Sequence, residues 1–134
     1  MSLCNCKCNC TAAAVIASVI VGVLAAFFQI TGMITVTTAF LWVVFGIAVG
    51  YLGLFVLSTA LCCAEEASVC VCTALNALLV GILGTVLFAL ILLAVGIVAT
   101  SVVSAILVGL TLFFFSLVIS TTACYVRTVS GCGK

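Results

Sequence analysis

Four cysteines alternate with two asparagines and a lysine in "CNCKCNC", positions 4 to 10, directly ahead of a long apolar run. The chain carries ten cysteines: Cys4, Cys6, Cys8, Cys10, Cys62, Cys63, Cys70, Cys72, Cys124 and Cys132. If the first segment is extended, alternate side chains share a face, so its four thiols point one way. Neighbouring thiols then lie about 6.5 to 7 Å apart by Cα, at or beyond the usual span of a disulfide. The segment is therefore better placed to reach the other cysteine groups, or another chain, than to pair with itself.

Two chemistries suit such thiols. Oxidation would give a network of disulfides within and between chains, each typically worth about 2 to 4 kcal/mol. Alternatively, thiolates would hold a soft ion, Cu(I) or Zn, with Glu65 and Glu66 as auxiliary ligands. No C-x-x-C pair of the ordinary zinc kind is present, so we expect the disulfide network and assign no metal or other cofactor. S-acylation of cysteines beside a membrane is a third chemistry open to them.

Other chemistry has little to work with. The chain has no histidine, and Glu65 and Glu66 are sequence neighbours rather than a positioned acid and base. We expect no enzyme. A net charge of +1 offers no basic field for nucleic acid.

The elements that must position the thiols follow from composition. Hydrophobic residues make up 69% of the chain and charged residues 4%, with a mean hydropathy of +1.75, whereas a soluble domain is about 25% charged. Apolar runs extend from Thr11 to Phe28, Ala39 to Leu61, Thr73 to Val95 and Ser101 to Ala123. Each is near the roughly 20 residues that cross a bilayer as a helix, and none has the charged stripe of a soluble bundle. The first run lacks the cleavable end of a signal peptide. The expected fold is all-α, with four transmembrane-type helices.

Four spans running up and down place the N-terminus, the middle loop and the C-terminus on one side. Every charge (Lys7, Glu65, Glu66, Arg127, Lys134) and every cysteine falls there, outside the spans. The other side has two uncharged tips, "QITGMITVTT" and "GIVATS". The chain thus divides into a cysteine-rich segment (1–10), a helical hairpin (11–61), a cysteine-rich loop (62–72), a second hairpin (73–123) and a tail (124–134). Because the basic residues all lie on the cysteine side, that side is expected to be cytoplasmic at synthesis.

A shift of 62 positions aligns Cys8, Cys10, Thr11 and Ala12 with Cys70, Cys72, Thr73 and Ala74. Gly22 then meets Gly84, and Ser58, Thr59 and Cys62 meet Ser120, Thr121 and Cys124. This predicts an internal duplication of one helical hairpin. Inside a bilayer, small residues let helices approach, which nominates Gly22, Gly46, Gly50, Gly81 and Gly84 as packing positions. Gln29 and Asn76, the only carboxamides in or beside the spans, sit near helix ends and are expected to make local caps or headgroup contacts.

"CNCKCNC" resembles the cysteine-dense stretches of spore-coat and exosporium proteins of spore-forming bacteria. That resemblance spans seven residues and implies a cross-linked structural component; the four apolar runs depart from those mostly polar proteins. The function expected is structural, with the protein associating with itself and with lipid in a membrane or a hydrophobic envelope layer, locked through cysteines on one face. A membrane thiol protein that holds soft metal is the alternative, and a small-solute channel the third.

Overall fold

With no proline to remove a backbone donor, the four apolar runs propagate as unbroken helices. In the computed structural model these are α1 (Asn9–Ile30), α2 (Thr38–Cys62), α3 (Val69–Val95) and α4 (Val102–Cys132). The structure describes residues 9–62, 69–96 and 101–132, without the side chains of 9, 58–62, 69–73, 128–129 and 131–132. All four helices are long and apolar enough to cross a membrane.

The helix ends at the first tip are set by local chemistry. Gly32 adopts φ +69° just past α1, its N–H donating to Gln29 O at 3.2 Å while Met33 N–H donates to Phe28 O at 3.1 Å. This paired closure satisfies carbonyls left over at a helix end and favours glycine at the left-handed position. On the far side of the tip the Thr37 hydroxyl accepts from Phe40 N–H at 3.3 Å, an N-cap that starts α2. Gly96, at φ +78°, stops α3 in the same left-handed way.

Sequence neighbours are not always spatial neighbours. α1 packs most extensively on α4, α4 on α3, and α3 on α2. Among the described residues α1 and α2 make no more than marginal contact. The helices thus follow one another in the order α1, α4, α3, α2, with α4 and α3 inside and α1 and α2 at the edges. Burial follows: α2 buries Leu41, Val44 and Ala48, a single stripe, whereas α4 buries Ala105, Val108, Thr111, Leu117, Val118 and Thr121. Two apolar clusters hold the inner helices, Leu41–Leu92–Val108 towards the tips and Leu78–Ile82–Val118 towards the cysteines.

The helices also run further than the apolar runs do. Cys10, Cys62, Cys70, Cys72, Cys124 and Cys132 lie within helices rather than in flanking segments. The extended geometry expected for "CNCKCNC" does not hold at Asn9 and Cys10, which are helical, because helix propagation adds a hydrogen bond per residue and continues past the apolar boundary; positions 4 to 8 lie outside the described residues. The segment expected as a loop over 62–72 is helical at Cys62 and again from Val69.

Candidate cross-linking site

The start of α1 and the end of α4 meet at a disulfide between Cys10 and Cys124, 6.1 Å apart by Cα and 114 residues apart in sequence. Their approach is prepared by the helix faces behind them. Cys10, Ala14, Ser18 and Gly22 recur every four residues on α1, and Ala14, Ser18 and Gly22 are buried. At Gly22 a Cβ would stand 2.8 Å from Phe113 Cβ and 3.1 Å from Gly109 O. At Gly109 it would stand 2.8 Å from Ala26 Cβ and 2.9 Å from Gly22 O. Each glycine therefore accommodates the backbone of the facing helix, the close approach by which membrane helices gain van der Waals contact.

The remaining cysteines are distributed as follows. Cys62, Cys70, Cys72 and Cys132 occupy helical backbone positions, with side chains outside those described. Cys4, Cys6, Cys8 and Cys63 lie outside the described residues, as do Glu65 and Glu66. Among the described residues no group of three His, Cys, Asp or Glu side chains comes together to hold a metal ion.

The five glycines nominated for packing divide. Gly22 faces α4, as described. A Cβ on Gly81 would stand 2.9 Å from Val118 Cγ2, and one on Gly84 2.5 Å from the Phe114 ring, so both also serve α4. Among the described residues Gly46 and Gly50 meet no neighbour: nothing lies within 4 Å of a Cβ added at either. They fall on the side of α2 away from its stripe of Leu41, Val44 and Ala48. Gly109, the partner of Gly22, is absent from the glycines nominated by sequence, although Ser101 and Ala105 precede it at four-residue spacing and that small-residue stripe is the signal that finds it.

Buried polar groups are more numerous than the helix-end assignment of Gln29 and Asn76 allows for. Ser18, Thr85 and Thr111 are buried and donate to carbonyls four residues back, at 2.7, 2.8 and 2.8 Å. Such bonds satisfy a hydroxyl within its own helix. Gln29 is 2% exposed, and its Oε1 has no hydrogen-bond partner among the described residues; Ser104 Oγ and Thr121 Oγ1 share that condition. The local cap or headgroup contact expected for Gln29 is thus replaced by burial, because α4 covers the last turns of α1. Asn76 is exposed near the start of α3.

On the outer side of the Gly22–Gly109 contact, Val23, Ala26, Ile106 and Leu110 help to line an open apolar groove of about 350 Å³. Its lining side chains provide no hydrogen bond to a solute. The aromatic residues beside the first tip, Phe27, Phe40 and Trp42, are exposed, in keeping with anchors at a membrane interface. Comparison with known proteins returned no matching family model, no matching curated protein and no matching solved structure. What the geometry defines is a class: a four-helix protein of membrane-spanning type with one helix pair in disulfide contact.

Proposed function

We propose that this protein is a structural, self-associating tetraspan membrane protein whose chains are locked through cysteines gathered at one end of its helices. The observation that carries this reading is the Cys10–Cys124 disulfide: it joins the first and last helices across nearly the whole sequence and sits among the cysteine-bearing helix ends. An oxidised staple there is what a cross-linked face requires, and each bond of this kind constrains the unfolded chain. In this reading all four helices cross the membrane, so the N-terminus, the segment between α2 and α3 and the C-terminus share that side. The hairpin duplication belongs to this proposal too, and its support is the shift of 62 positions that aligns Cys10 with Cys72 and Cys62 with Cys124. The test is the mass of the purified, unreduced protein in mild detergent, measured by light scattering with and without reductant. A multimer that falls to smaller species on reduction is expected; a particle of unchanged mass would count against cysteine locking.

A further inference from the structure

We propose that α1 is exchanged between copies: α1 of one chain seats on α4 of a second, and the Cys10–Cys124 bond then joins two chains. This rests on the self-association proposed above and names the element and the cysteine pair through which it occurs.

The contacts of α1 carry the inference. Among the described residues α1 packs extensively on α4 alone and meets its sequence neighbour α2 no more than marginally. Its buried residues Ala14, Ser18, Gly22 and Gln29 form one stripe, while Ile16, Ile20, Val23 and Phe27 are exposed. That stripe is held by the Gly22–Gly109 seat and by the disulfide to Cys124. Both are made with α4, and neither depends on which chain that α4 belongs to. α2 instead stays with α3, through Leu41 on Leu92 and through Leu52 and Phe55 on Leu78 and Ile82.

The connector between α1 and α2 divides at one residue. Thr31, Gly32, Met33 and Ile34 donate to the carbonyls of Phe27, Phe28 and Gln29 and so travel with α1. Val36 packs on the cluster of Leu41, Leu92 and Val108, and the Thr37 hydroxyl caps α2, so both stay with α2. Thr35 stands between them, exposed. A change in the backbone dihedrals around Thr35 redirects α1 while leaving both ends of the connector intact. The closed and exchanged forms make the same α1–α4 contacts and the same S–S bond, and differ only at this hinge; exchange of an identical element is a low-cost route to association for that reason.

The order of synthesis favours exchange. α1 is made first and its one extensive partner last. At about 5 to 20 residues per second, the roughly 100 residues from the end of α1 to the end of α4 take on the order of 5 to 20 s, during which α1 stands in the bilayer beside the finished α4 of a neighbour. The tethered α4 of the same chain competes at an effective concentration on the order of mM, so exchange grows with the density of chains in the membrane. Exchange in return closes a twofold dimer; passed on, it extends a row.

Closing the bond needs a two-electron oxidant, and its class is a disulfide. The Cys124 thiolate of one chain attacks the oxidant's S–S bond, giving a mixed disulfide and releasing one oxidant thiolate; the Cys10 thiolate of the second chain displaces the other. One protein S–S bond forms and the oxidant's breaks, and the two protons of the protein thiols end on the two oxidant thiols.

The test uses two full-length copies produced together, the parent and an Ile16→Val, Ile119→Val variant whose changed side chains are exposed. Unreduced protein is treated with N-ethylmaleimide and digested with chymotrypsin, and the linked Cys10–Cys124 peptides are weighed. A pair from within one chain carries both changes or neither, so a pair carrying one joins two chains. We expect such mixed pairs, rising with expression level and approaching about half of all Cys10–Cys124 pairs when the copies are equal and exchange is complete. Gly22→Leu in both copies, which unseats α1, should remove them, and Gly50→Leu should not. An absence of mixed pairs in chains linked through other cysteines would overturn the exchange and leave the cross-linking reading standing. Mixed pairs undiminished by Gly22→Leu would also overturn it, since the bond would then form without a seated helix. Mixed pairs in a particle that keeps its mass on reduction would uphold the exchange and count against the cysteine lock. Free thiols throughout would overturn both.

Discussion

The contact between Gly22 and Gly109 is where single atoms decide most. A side chain at Gly22 must displace Phe113 Cβ and the Gly109 carbonyl, both at or near the limit of real contacts. Overpacking of this kind costs about 1 to 3 kcal/mol. Gly22→Leu should therefore lower the thermal unfolding temperature in detergent, whereas Gly50→Leu, which adds its side chain to open space, should leave it within error; equal losses would contradict the assigned helix order. Gln29 makes the opposite prediction. A buried acceptor with no partner costs about 1 to 3 kcal/mol, so Gln29→Met should match or exceed the parent in the same assay. A marked loss of stability would mean that the amide makes bonds the account does not contain. Neither effect was fully legible in the sequence. Gly22 stood out because Ser18 and Ala26 flank it at four-residue spacing, but the mate of Gly22 and the burial of Gln29 depend on which helix covers α1, and no local pattern encodes that.

At the scale of elements, all four helices could be seen in the sequence because an apolar run near bilayer length without proline has few alternatives. Their extents could not, since apolarity ends where helix formation continues, and this is why six cysteines fall inside helices. Nor could their packing order: α1 packs on α4 more than on its sequence neighbour α2, because the small residues of α1 find their complement in Gly109 and Phe113. Spans that are apolar all round carry no amphipathic stripe to announce a partner. The order is testable with the chain divided between α2 and α3. The fragment with α3 and α4 should form a helix pair alone, and the fragment with α1 and α2 should be captured by it on co-expression, joined through Cys10 and Cys124. Two fragments that purify apart, with those cysteines unlinked, would contradict the packing.

For the whole molecule, the cysteine end is the feature on which the functional proposal depends. The Cys10–Cys124 staple closes a separation of 114 residues, and loss of a disulfide typically costs about 2 to 4 kcal/mol. The double variant Cys10→Ser, Cys124→Ser should thus unfold at lower temperature yet retain helix content by circular dichroism, since packing and lipid still support the spans. In oriented vesicles, an impermeant maleimide should reach reduced Cys6, Cys70 and Cys132 from one side only; labelling from opposite sides would break the four-span topology. The most direct test of the central claim uses two differently tagged copies of the chain produced together. After thiols are blocked and the membrane is dissolved in denaturing detergent without reductant, one tag is captured and the other is sought. The account predicts that the second copy is recovered and that reductant releases it at the mass of a single 13.7 kDa chain plus its tag; recovery of the captured copy alone, with its intrachain staple intact, would contradict a protein locked to itself through cysteines.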